Sequence, residues 1–70
     1  MISNDAELKA TLERIDAFRR QVTELRQKET NPDNYRLAAS GFLAEIDRMN
    51  LEVREYLSLH PAEVEPASPA

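Results

Sequence analysis

Side chains that could carry catalysis or hold a metal are scarce in this chain of 70 residues, which contains one histidine and no cysteine. A transition-metal site needs several His or Cys ligands, and a Ser/His/Asp nucleophilic set needs a histidine among its partners. The one histidine, His60, directly precedes Pro61, where we expect an exposed residue at a helix C-terminus. The single glycine also excludes a glycine-rich phosphate loop. The sequence therefore predicts no catalytic residue, no metal, no cofactor and no enzymatic activity.

Acidic side chains are the remaining candidates for catalysis, since the chain has 13 Asp and Glu residues and nine Lys and Arg residues. Glu45 and Glu52 are seven residues apart, which places them on one edge of a helix. Two carboxylates act as an acid–base pair only in a pocket that gives them different proton affinities. A protein made of two helices cannot enclose such a pocket, so we expect both side chains to be solvated.

Basic residues cluster in the middle of the chain, whereas acidic residues crowd its last third. The net charge of −4 disfavours a general attraction to nucleic acid or to an anionic membrane surface. Base recognition would also need a recognition helix, or aromatic residues interleaved with the basic ones. A nucleic-acid accessory protein is therefore the weaker alternative. The basic residues kept as candidate electrostatic contacts are Arg19, Arg26 and Arg36.

The elements that must position these residues are helices, and the clearest one runs from Tyr35 to Leu59. Apolar residues recur there at alternating spacings of four and three, a repeat that keeps one helix face against a partner helix. The repeat keeps its register through Ser40 and Gly41, so we expect a continuous helix. The residues of this stripe are Tyr35, Ala39, Phe42, Ile46, Met49, Val53 and Tyr56.

A first helix is predicted over residues 4–29 or so. Asn4 can cap its N-terminus, with Glu7 three residues later to close a capping box. Its apolar residues also recur at threes and fours, although the phase shifts near Phe18. They are Leu8, Leu12, Ile15, Phe18, Val22 and Leu25.

The segment from 30 to 34 is the strongest internal break. Asn31 can cap a second helix, with Pro32 at its first position. Two helices of similar length joined by so short a link must turn back on each other. The sequence therefore predicts an all-α, antiparallel two-helix hairpin in which Phe18 faces Phe42. The boundaries are a hairpin over 1–60, with the second helix at about 32–59, and a disordered Pro-rich tail over 61–70.

A second apolar surface is left on the second helix, away from its main stripe. Leu37, Ala44 and Leu51 recur there every seven residues, and Leu43 and Leu57 widen the main stripe along one edge. A hairpin of this length has little core for a chain on its own. We therefore expect these five residues to bind a partner, most simply in a homodimer that forms a four-helix bundle. A helix from a different protein could cover the same surface.

Nothing in the sequence indicates export or membrane insertion. No apolar run approaches the ~20 residues that span a bilayer, and the opening residues lack the basic region of a secretion signal. The lack of cysteine fits a reducing compartment. The sequence predicts a soluble, cytoplasmic protein.

Four segments resemble the helical region of small bacterial toxin–antitoxin proteins: MISNDAEL, TLERIDAF, NPDNY and EIDRMNLEVREYL. In longer members of this group, a similar hairpin precedes a helix-turn-helix domain that binds DNA, whereas PAEVEPASPA follows here. The resemblance implies a stand-alone dimerisation or partner-binding element, an antitoxin-like or accessory protein that holds a bacterial partner. The alternative is a structural homo-oligomer or scaffold with no separate ligand.

Overall fold

Two long helices make up most of the protein in the computed structural model, which describes residues 1–64. The helices are α1 (Asp5–Lys28), α2 (Pro32–Leu57) and the single turn α3 (Pro61–Val64). No strand occurs within the described part of the chain. Because α1 and α2 pack against each other, the helical hairpin predicted from the sequence is confirmed.

α1 begins at a capping box close to the predicted one. The Asn4 side-chain oxygen accepts a hydrogen bond from the Glu7 N–H at 2.8 Å, which satisfies one of the free N–H groups of the first turn. The Glu7 carboxylate accepts from the N–H of Ser3 at 2.7 Å, one residue before the capping residue itself. Asp5 and Glu7 also place negative charge at the positive end of the helix dipole.

Three residues, 29–31, link α1 to α2 and reverse the chain. Asn31 caps α2 as predicted, because its side-chain oxygen accepts two N–H groups of the first turn at 2.9 and 3.2 Å. Pro32 occupies the first helical position, where a missing N–H costs nothing. The Asn31 N–H donates to the Glu29 carboxylate at 3.1 Å, which further fixes the link.

The core lies along the shared face of α1 and α2. Its centre is a buried cluster of Ile15 from α1 with Ile46 and Met49 from α2. Beside it, the rings of Phe18 and Phe42 meet edge to face, with centroids 5.6 Å apart and planes at 89°. This pair confirms the predicted register of the hairpin.

At the open end of the hairpin, the N-terminal residues 1–5 contact the last turns of α2. The Tyr56 hydroxyl donates to Oδ1 of Asp5 at 2.6 Å, across 51 residues of sequence. Ile2 is only 5% exposed, and the Met1 amino group lies 3.6 Å from the Glu52 carboxylate. The sequence prediction missed Ile2 because it precedes the first helix and belongs to no periodic stripe.

The first four residues of the segment predicted as a disordered tail, 61–64, form the single turn α3. His60 caps this turn: its Nδ1 accepts from the Ala62 N–H at 3.0 Å, and its own N–H donates to the Glu63 carboxylate at 2.8 Å. A proline at the first helical position is compatible with this reciprocal cap. His60 therefore begins a new turn rather than ending α2. Residues 65–70 of the predicted tail lie outside the described residues.

α2 runs without a break through Ser40 and Gly41, as expected, and ends at Leu57. The end lies two residues before the predicted limit. Ser58 closes it, since its N–H donates to the Arg54 carbonyl at 3.0 Å.

Gly41→Ala is expected to raise the free energy of unfolding by about 1 kcal/mol, because alanine is the better helix former by that amount. A Cβ built on Gly41 meets no atom within 4 Å, so nothing opposes the gain. Urea titration followed by circular dichroism measures the change. Ala38→Gly, on the same exposed edge of α2, is the control and should lower stability by a similar amount. A less stable Gly41→Ala protein would mean that another chain approaches the backbone there.

Candidate interaction surface

Exposed apolar side chains define the candidate site, and the first group lies on the side of α2 turned away from α1. Leu37 is 77% exposed and Leu51 is 53% exposed, and Ala44 between them is exposed as well. At 3.6 residues per turn, these positions stand about 170° around the helix from the buried stripe. We call these three residues the outer row.

Leu43 and Leu57 form a second group, about 90° around α2 from the buried stripe. They are 45% and 62% exposed. α1 contributes Leu12, which is 46% exposed and stands at the edge of its own stripe. The five residues predicted to bind a partner are thus all exposed, but they lie on two different sides of α2.

Leu12 and Leu43 lie on the same side of the hairpin. Each stands three residues before a buried isoleucine of the core cluster, and two antiparallel helices in contact carry such equivalent edges on the same side. The opposite edges carry Arg14 of α1 and Glu45 of α2, whose charges interact. Leu12 and Arg14 flank the α1 stripe on opposite edges, as Leu43 and Glu45 flank that of α2. The leucines therefore share the face opposite this charged edge. We call Leu12, Leu43 and Leu57 the front face.

The placement of Leu12 corrects the sequence prediction, which put it in the buried stripe of α1. That position belongs to Thr11, which is half-buried. Its hydroxyl donates to the Glu7 carbonyl at 2.9 Å, so the polar group is satisfied within the helix. Starting from Leu8, alternating steps of three and four residues lead to Thr11 and then to Ile15. This spacing was the signal that could have identified Leu12 as exposed.

The candidate electrostatic contacts Arg19, Arg26 and Arg36 lie on the same side as the front face, towards the tip of the hairpin. Arg19 and Arg26 follow Leu12 at intervals of seven residues, and Arg36 precedes Leu43 by seven. Arg36 forms an ion pair at 2.9 Å within the first turn of α2. Within the described chain, Arg19 and Arg26 form none.

The charged edge opposite the front face is organised around Arg48. Its guanidinium donates to both oxygens of Glu45 at 2.7 and 2.8 Å and to Glu52 at 2.6 Å. Glu45 and Glu52 thus lie at the surface, 45% and 23% exposed, and helical spacings of three and four bring both to the same arginine. This edge is already paired within one chain, unlike the front face.

The pKa of Glu45 lies below its ordinary value, mainly because Arg48 donates hydrogen bonds to the carboxylate. Partial desolvation acts in the opposite direction. The positive charges of Arg48 and Arg14 add to the lowering. Glu45 thus stays ionised below the pH at which a free glutamate would be protonated.

The stability that Glu45 contributes is expected to disappear in acid. A group with a lower pKa in the folded state favours folding above its ordinary pKa of 4.5, and the contribution is lost as pH falls through the lowered pKa. Thermal melts of wild type and Glu45→Gln should therefore differ at neutral pH and converge in acid, once the pH has fallen through the lowered pKa of Glu45. Glu13→Gln, at an exposed site without an ion pair in the described chain, should follow wild type throughout. Identical wild-type and Glu45→Gln melts at neutral pH would contradict the prediction.

Depressions in the described surface are open to solvent, one at the open end beside Ile2 and Tyr56 and another beside Phe18 and Gly41. Within residues 1–64, no group of three or more His, Cys, Asp or Glu side chains could hold a metal ion. None of the helices in this range has the length and hydropathy needed to cross a bilayer.

The resemblance to toxin–antitoxin hairpins rests on four short helical segments and stays a prediction. No protein-family model, no curated protein and no solved structure matches the chain.

Proposed function

We propose that this chain is a non-enzymatic protein–protein interaction module that self-associates, two hairpins forming a four-helix bundle. The observation that supports the proposal is the distribution of leucine. Five leucines of the two long helices are 45–77% exposed, namely Leu12, Leu37, Leu43, Leu51 and Leu57.

The energetic reason for association is the size of the core. Within residues 1–63, the central buried cluster consists of Ile15, Ile46 and Met49, and domains of this size have little hydrophobic stabilisation to spare. Apolar surface removed from water stabilises by roughly 25 cal/mol per Å². Packing a second hairpin on the exposed leucines therefore adds the core that one hairpin lacks.

A different protein is the second candidate partner, and the outer row supports it. Leu37, Ala44 and Leu51 point away from α1, so they stay exposed whenever two hairpins associate through the front face. An accessory role in holding a bacterial partner, as the resemblance implies, would use this row. A scaffold without a separate ligand would instead bury both surfaces between copies of the same chain.

Sedimentation equilibrium tests the proposal. The wild type should sediment as a dimer, and its melting temperature should rise with protein concentration. Two double variants then identify the surface: Leu43→Glu with Leu57→Glu on the front face, and Leu37→Glu with Leu51→Glu on the outer row. The pair that converts the dimer to a folded monomer marks the self-association surface. A wild type that is folded and monomeric at every concentration would rule out self-association.

A further inference from the structure

We propose that a second copy of the chain docks on the front face, antiparallel to the first, about a two-fold axis that passes beside Leu12 and Asn50. This inference rests on the proposed function and specifies which faces meet and in which direction. The axis runs across the front face, perpendicular to the helices. It therefore places α1 on α1 of the second copy and α2 on α2 of the second copy, each pair antiparallel.

A single axis can serve both helices because of the register of the hairpin. The hydrogen bond from Tyr56 to Asp5 and the edge-to-face phenylalanine pair fix which positions of α1 and α2 are level. They put Leu12 level with positions 48 and 49 of α2. At 1.5 Å per residue, Asn50 is within about 3 Å of that level.

The front row of α1 is self-complementary about Leu12. Asp5 and Arg19 stand seven residues before and after it on the same edge. The axis places Leu12 against Leu12 of the second copy, and Asp5 against Arg19 of the second copy. Arg19 forms no ion pair within the described chain. Asp5 uses Oδ1 for the Tyr56 hydroxyl and keeps Oδ2 for a further donor.

The front row of α2 is self-complementary about Asn50. Leu43 and Leu57 stand seven residues on either side of it, so the axis places Leu43 against Leu57 of the second copy. Asn50 then meets Asn50 of the second copy. Two side-chain amides can donate to and accept from each other, and a polar pair at one buried position is a known means of fixing register between helices.

The charges that border these rows agree with the same axis. Lys9 and Asp16 border the row of α1, and Asp47 and Arg54 border that of α2, each pair seven residues apart. The axis brings Lys9 to Asp16 of the second copy, and Asp47 to Arg54 of the second copy. Lys9, Asp47 and Arg54 are exposed and form no ion pair within the described chain. Opposite charges thus meet at the rim on both helices.

A parallel dimer through the same front faces would bring unfavourable pairs of residues together. A two-fold axis along the helices would put α1 on α2 of the second copy at equal level. Leu12 would then face Asn50 of the second copy, which pairs an apolar with a polar side chain. Arg26 would face Arg36 of the second copy, which pairs two like charges. The antiparallel arrangement is therefore the one that the residue pattern favours.

A charge exchange tests the orientation. Asp47→Arg and Arg54→Asp should each raise the dimer dissociation constant by about tenfold, because each substitution makes two like-charge contacts in the symmetric dimer. The double variant Asp47→Arg with Arg54→Asp restores opposite charges and should return to within about threefold of wild type. The isolated hairpin should keep its helix content in all three, since neither side chain is ion-paired within the described chain.

Cysteine placement gives a second test, because the chain has no cysteine of its own. Asn50→Cys lies at the axis and should oxidise to a covalent dimer, since a disulfide needs Cα atoms within about 7 Å. Arg36→Cys is in the same row but 14 residues away. It should not cross-link, and spin labels on it should be about 42 Å apart along the helices, whereas a parallel dimer would put them at the same level on diagonal helices, about 14 Å apart.

The outcomes separate the inference from the proposed function. A dimer by sedimentation that shows neither rescue by the charge exchange nor the Asn50→Cys cross-link overturns the antiparallel front-face arrangement and leaves self-association intact. Short distances between labels at Arg36→Cys overturn it in favour of a parallel dimer. A wild type that stays a folded monomer overturns both.

Discussion

Ile46→Glu is expected to abolish the folded state of the hairpin. Ile46 is 8% exposed and packs with Ile15 and Met49 at the centre of the core. A carboxylate there would lie among the apolar side chains of the core, and burying an unpaired charge costs several kcal/mol. Domains below about 80 residues rarely have more than about 3–5 kcal/mol of core stabilisation. Far-UV circular dichroism should show low helix content and no cooperative thermal transition.

Leu37→Glu is the matched control for this substitution. It makes the same chemical change on the same helix, at a residue that is 77% exposed. The variant should keep wild-type helix content, because its carboxylate stays in water. A cooperative melt of Ile46→Glu close to that of Leu37→Glu would show that the two stripes of α2 have been assigned to the wrong sides.

The fold was predictable where apolar periodicity and capping chemistry agree. The stripe of α2 contains Ala39, Ile46 and Met49, all buried, and Asn31 with Pro32 begins the helix as the sequence indicates. Each of these signals depends only on neighbours within two turns. The short link then leaves the second helix no choice but to fold back on the first.

The core residues of α1 were predicted less well, because the prediction followed residue type where the helical spacing determines which side chain faces α2. Leucine at position 12 looks like a core residue, yet the spacing assigns the core position to Thr11. A threonine tolerates this place because its hydroxyl bonds to the Glu7 carbonyl of the preceding turn. The error also hid Leu12 from the list of candidate binding residues.

Contacts at the open end depend on tertiary structure and have no periodic signal. Ile2 is buried only because α2 returns beside it, and the Asp5–Tyr56 hydrogen bond joins residues 51 positions apart. His60 caps α3 through its ring nitrogen, a role usually taken by Ser, Thr, Asp or Asn. None of these contacts could be inferred from local spacing.

For the candidate surface too, the sequence predicted the exposed residues but not how they are arranged in the folded hairpin. The sequence identified Leu37, Leu51, Leu43 and Leu57, and each is exposed. Their separation into an outer row and a front face requires knowing which edges of α1 and α2 lie together. The antiparallel packing of α1 on α2, with Phe18 against Phe42, supplies this.

Met49→Ala is expected to lower the free energy of unfolding by about 2–5 kcal/mol, the range for removing a long buried side chain. Met49 is 2% exposed and is the largest fully buried side chain of the described chain. Its loss leaves a cavity between α1 and α2, and the surrounding structure relaxes only partly around such a cavity. In a domain of this size, each kcal/mol shifts the melting temperature by about 4–8 °C, so a drop of about 10 °C or more should be seen.

Two control variants distinguish the loss of buried side-chain volume from the loss of an exposed side chain. Met49→Leu conserves volume and should cost less than about 1.5 kcal/mol, whereas Leu51→Ala removes a side chain that is 53% exposed and should be nearly neutral. All variants must be compared at one protein concentration, because association stabilises the folded state by mass action. If Met49→Ala and Leu51→Ala lose stability equally, Leu51 is buried in the assembled protein. The outer row, rather than the front face, would then be the surface that a second chain covers.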